Sequence, residues 1–74
     1  MYIYKDIITL ETGKRSGKPC IRGMRITVED ILRWLASGME IAEILENYPE
    51  LTRTDVLTAL EFSANRQSLT FVAA

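Results

Sequence analysis

Three groups of residues in this sequence could do chemistry: the carboxylates Glu40, Glu43, Glu46 and Glu50, the arginines Arg22 and Arg25 on either side of Gly23, and the lone thiol of Cys20. Carboxylates work as acid–base pairs or metal ligands when they converge. At these spacings they spread along one outward helix face, which does not enclose an ion. Such a row is either a solvated surface or a dock for a basic partner. Two arginines about a glycine can clamp a phosphate or read guanine bidentately, or they can pair with Glu29 or Asp30. A single cysteine makes no internal disulfide. With no histidine anywhere, the commonest zinc sites and the Ser-His and Cys-His nucleophilic pairs are excluded. The expectation is a non-enzyme with no metal and no cofactor.

The net charge of −1 conceals a division. Residues 1–25 carry Lys5, Lys14, Arg15, Lys18, Arg22 and Arg25 against Asp6 and Glu11. Residues 26–74 carry Arg33, Arg53 and Arg66 against eight carboxylates. A basic segment attracts a phosphate backbone through counterion release, and an acidic face suits a basic protein. The expected nucleic-acid contacts are Lys14, Arg15, Lys18, Arg22 and Arg25, joined by Arg53 and Thr54.

These groups need elements to position them. Residues 2–10 are rich in β-branched and aromatic side chains and predict a strand. Apolar residues of both parities imply burial on both sides or a bulge near Ile7, and make the strand a candidate dimer contact. Gly13–Gly17 predicts a loop. Residues 18–27 predict a second extended segment, with Pro19 barring helix and Gly23 marking a bend. Thr27 with Asp30, and Thr52 with Asp55, have the spacing of N-terminal capping boxes. Val28, Ile31, Leu32 and Leu35 form one helical stripe, and Ile41, Ile44, Leu45 and Tyr48 a second. Val56, Ala59 and Leu60 form a third. Gly38 and Pro49 end the first two helices.

The predicted fold is mainly α: a trihelical helix-turn-helix bundle, homeodomain-like, preceded by short N-terminal β-strands. Residues 1–26 form the β segment and basic loop, 27–67 the helical domain, and 68–74 an extended apolar tail. Trp34 and Phe62 lie roughly a third of a turn away from their own helix's stripe. They are read as partner-binding anchors, together with Leu69, Phe71 and Val72 of the tail. No apolar run approaches the roughly 20 residues that span a bilayer. The opening MYIYKDII lacks a signal-peptide layout, so the expected location is the cytoplasm.

The string Gly17-Lys18-Pro19-Cys20-Ile21-Arg22-Gly23-Met24-Arg25-Ile26, with Tyr48-Pro49-Glu50-Leu51-Thr52 later, resembles the signature of the domain-of-unknown-function family four-three-three. The similarity runs from about Asp6 to Ala64. Where the family often carries Val and Thr, this chain has Cys20 and Met24. The resemblance implies a homeodomain-like helix-turn-helix and an antitoxin of the VapB type. Such an antitoxin neutralises a PIN-like ribonuclease toxin and, as a dimer, represses its own operon. The alternative is a small helix-turn-helix regulator without a toxin. Arg22, Gly23 and Arg25 are the matching signature residues.

Overall fold

The computed structural model describes the backbone of residues 2–73 and the side chains of residues 3–65. Three short strands, β1 (Tyr2–Tyr4), β2 (Ile8–Leu10) and β3 (Cys20–Ile21), form an antiparallel sheet in that order. Three helices follow: α1 (Val28–Ala36), α2 (Ile41–Asn47) and α3 (Arg53–Ala73).

The strand predicted over residues 2–10 is in fact a hairpin. The chain reverses at Lys5 and Asp6, both at positive φ (52° and 58°). The Ile7 N–H closes the turn on the Tyr4 carbonyl at 3.0 Å. Tyr4 then pairs with Ile8, Ile3 with Thr9 and Tyr2 with Leu10. The two apolar parities therefore belong to two strands and an extra residue at Ile7. Nothing in Lys5-Asp6 has the glycine that usually marks such a turn. Past the loop, Ile8 pairs with Ile21 and Thr9 with Cys20. The chain bends at Arg22 and Gly23 (φ 44° and 74°) and returns so that Cys20 bridges Thr27. Gly23 tolerates that φ without strain, whereas Arg22 is held there by its contacts.

Both predicted capping boxes form. The Asp30 N–H donates to Thr27 Oγ1 at 2.9 Å, and the Thr27 N–H to Asp30 Oδ2 at 3.1 Å. At α3 the Asp55 N–H donates to Thr52 Oγ1 at 3.1 Å, and the Thr52 N–H to Asp55 Oδ2 at 2.9 Å. Each satisfies orphan donors of its helix start. Gly38, at φ 103°, lies just past the end of α1.

The core gathers Ile8 and Ile21 from the sheet, Val28 and Ile31 from α1, and Ile44 from α2. Leu51 and, from α3, Val56, Ala59 and Phe62 complete it. Phe62 is only 6% exposed. Its ring meets Tyr4 edge-on, with centroids 5.3 Å apart. The expectation of Phe62 as a surface anchor is thus corrected. The buried side of α3 includes Asp55 and Thr58, two polar residues, and this turns it toward Phe62 and away from Leu57, which is 46% exposed.

The extended tail expected from residue 68 is also corrected. The backbone of α3 continues helically through Ala73. No glycine or proline follows Thr52, so nothing in the chain stops the helix. The side chains of Leu69, Phe71 and Val72 lie outside the described residues.

Candidate functional site

The basic N-terminal segment is largely neutralised from within. Lys5 pairs with Glu61 at 2.7 Å and Lys18 with Glu29 at 2.8 Å. Lys14 pairs with Glu11 at 3.2 Å and donates to the Gly23 carbonyl. Arg15 pairs with Asp30 at 3.2 Å and donates to the Arg25 carbonyl. The Glu61 carboxyl is drawn below its ordinary range by the hydrogen bond from Lys5, and Glu29 by that from Lys18. Exposed pairs of this kind add little stability. Each nevertheless keeps a carboxylate beside the cation, which offsets its attraction for an incoming phosphate.

Arg22 is the most committed of these cations. Its Nε donates to Asp55 Oδ1 at 3.2 Å and one terminal nitrogen to Asp55 Oδ2 at 2.9 Å. A further bond of 2.6 Å runs to the Glu50 carbonyl. The Asp55 side chain is 2% exposed. These bonds hold the guanidinium still more firmly in its charged form. Arg22 thus ties the bend after β3 to the first turn of α3. Its partner is neither Glu29 nor Asp30, because Asp55 is sequestered under the bend while both of those serve α1. The capping pattern predicted Asp55's bonds to Thr52; its second task depended on a contact 33 residues away.

Among the expected nucleic-acid contacts, Lys18, Arg22, Arg25, Arg53 and Thr54 are exposed, but Lys18 and Arg22 are held in ion pairs. Arg25 and Arg53 form no ion pair with a described residue. Leu57, one turn beyond Arg53 and Thr54, shares their exposed end of α3 and was missed because it belongs to no core stripe. The structure brings Lys14, Arg15 and Arg25 together around one loop. Arg53 and Thr54 stand apart from it at the start of α3.

The free charge of the described residues is mainly negative and concentrated on and beside α2. Glu40, Glu43, Glu46 and Glu50 are all exposed, and none forms an ion pair with a described residue. Glu43 Oε1 accepts a long bond, 3.4 Å, from the Glu40 N–H at the start of the helix. At the far end of α2, Tyr48 stacks on Trp34 with centroids 4.2 Å apart and planes 12° apart. Both rings are half-buried. Sequence periodicity assigned Tyr48 to the core stripe, and it does pack against the core; Trp34, read as a partner-binding anchor, packs there as well and stacks on Tyr48. Cys20, in β3, is buried at 1% exposed, and burial raises its thiol pKa. Among the described residues no three acidic or sulfur side chains gather where a metal could sit. Among them, too, no helix is long and apolar enough to cross a membrane.

A three-helix domain with a small antiparallel sheet, a pinned signature arginine and an acidic aromatic flank is the class these features define. The chain belongs to the DUF433 family, described as proteins of unknown function, whose model matches residues 8–63. The signature string at Gly17–Ile26 lies within that match. A solved structure of a DUF433 member from Anabaena variabilis is similar at 28% identity, with a TM-score of 0.81. The match covers 88% of this chain and 64% of that one, so this chain spans less than two thirds of the solved relative's length. No curated protein matches.

Proposed function

We propose that this protein is the antitoxin of a type II toxin–antitoxin pair, VapB-like in role and homeodomain-like in its three helices, which neutralises a PIN-like ribonuclease toxin. In this reading it is a binding protein of the cytoplasm and not an enzyme. The observation that carries the reading is the group of exposed carboxylates on and beside α2, Glu40, Glu43, Glu46 and Glu50, none of them ion-paired with a described residue, together with the half-buried Trp34–Tyr48 stack at the helix's far end. A ribonuclease that cuts RNA with acidic residues and metal has a basic substrate channel. An acidic surface with an aromatic anchor complements that channel's edge and speeds encounter. The test is whether a neighbouring reading frame encodes a ribonuclease-like protein and whether the two, co-expressed, purify as a pair; absence of such a neighbour counts against the reading. Glu43→Lys with Glu46→Lys should slow association about tenfold at low salt and leave the fold unchanged. No complex at micromolar concentration, or association indifferent to that reversal, refutes the proposal.

The second reading is a small helix-turn-helix regulator that binds operator DNA, alone or beside the antitoxin role. Its support is the exposed group Arg53, Thr54 and Leu57 at the start of α3, where a recognition helix meets bases. Titration of the protein into its own upstream DNA, with Arg53→Ala as the variant, tests it.

A further inference from the structure

We propose that the protein forms a two-fold dimer by pairing β1 with β1 of a second copy, centred on Ile3. The inference is independent of the partner assigned to α2.

β1 lies at one edge of the sheet and has β2 as its single neighbour. The Tyr4 carbonyl points toward β2, where it accepts the Ile7 N–H. Backbone groups of successive strand residues alternate in direction, so the N–H and C=O of Ile3 point outward to the open edge. Natural proteins blunt such edges by keeping them short or with proline, charge or a bulge. β1 is short, three residues, but Tyr-Ile-Tyr carries no proline, charge or bulge. Ile3 is 48% exposed, one of two large apolar residues so exposed among those described.

The choice of a second copy as occupant follows from the strand's own symmetry. Tyr2-Ile3-Tyr4 reads the same in both directions. Antiparallel pairing about Ile3 sets residue 3 opposite residue 3 and residue 2 opposite residue 4. Each Ile3 then both donates to and accepts from its counterpart, and each tyrosine position faces a tyrosine position. Cross-strand aromatic and β-branched pairs are the favourable ones. A two-fold contact of this kind brings the same patch of both copies together. The result is one six-stranded sheet running through both copies.

The test is sedimentation equilibrium over a concentration series, with two variants. Wild type should be dimeric at high micromolar concentration. Ile3→Glu places like charges at the two-fold axis and should raise the dimer dissociation constant at least tenfold, with unchanged far-ultraviolet circular dichroism. Ile3→Cys in a Cys20→Ala background should form a disulfide between copies on mild oxidation, since hydrogen-bonded antiparallel partners have Cα atoms about 5.5 Å apart. A wild-type monomer throughout the series overturns the proposal. So does a dimer unaffected by Ile3→Glu, or failure of Ile3→Cys to cross-link in a dimeric sample.

Discussion

Replacing Arg22 by alanine separates a structural arginine from a ligand-binding one. The side chain gives two charge-assisted bonds to Asp55 and one to the Glu50 carbonyl. Without it, the Asp55 carboxylate, 2% exposed in the intact protein, keeps the Thr52 N–H as its remaining described partner. Stranding a buried carboxylate costs about 3–5 kcal/mol when a fully buried pair is broken. Here the Arg22 side chain is 42% exposed, so water already screens the pair and the cost falls to about 2–3 kcal/mol. A domain of this size has about 4–11 kcal/mol of stability, so the loss is a large share of the total. It corresponds to a fall in Tm of roughly 10–20 °C. The left-handed backbone at Arg22, φ 44°, refines the expectation. Glycine occupies that region without the roughly 1 kcal/mol that other residues lose, so Arg22→Gly should be milder than Arg22→Ala by about that amount. Urea unfolding followed by circular dichroism measures both. Arg25→Ala, whose guanidinium forms no ion pair with a described residue, should change stability by less than about 0.5 kcal/mol. If Arg22→Ala unfolds at the wild-type midpoint, the guanidinium is not holding Asp55 and the argument fails.

Phe62→Ala should cost about 3–4 kcal/mol in the same assay, because it empties a core position against Tyr4; a surface anchor would instead lose partner affinity at constant stability. Burial pushes the Asp30 carboxyl upward, but the Thr27 N–H and the Arg15 guanidinium outweigh it and hold it below its ordinary value. Its contribution is therefore fully present above about pH 4, where the unfolded carboxyl is ionised, and is lost as pH falls through the lower folded value. Acid titration of Tm should be shallower in Asp30→Asn below that point, and an identical slope would contradict the assignment. Cys20, buried and shifted toward the thiol form, should react with a maleimide only through opening of the fold. Labelling should accelerate steeply in urea, and prompt labelling of native protein would show the site to be open.

The legible parts of this fold were those set by local rules. The capping residues Thr27 and Thr52, and the apolar spacing of α1 and α2, depend on neighbours three or four positions away. The missed parts were set by distant contacts. Phe62 looked exposed because α3 was phased on apolar residues alone, and the burial of Asp55 and Thr58 turned the helix. The reversal at Lys5-Asp6 was hidden because neither residue is glycine, although Asp tolerates a left-handed backbone. The basic segment was legible as charge but not as surface potential, since all its balancing carboxylates but Glu11 (Glu29, Asp30, Asp55 and Glu61) are in the helices. The carboxylates on and beside α2 were legible from helical spacing, and they are exposed without an ion-pair partner among the described residues.

The first strand and the last helix clasp one another across nearly the whole chain. Lys5 reaches Glu61, and the Tyr4 hydroxyl accepts from Asn65, over separations of 56 and 61 residues. On a ribosome, the opening hairpin emerges long before the helix that will secure it. At about 5–20 residues per second, some 3–11 s pass before the two can meet. Closure of so wide a loop belongs late in folding, after the helices have found each other. The hairpin is thus docked last and, by the same logic, is the part whose release should begin unfolding.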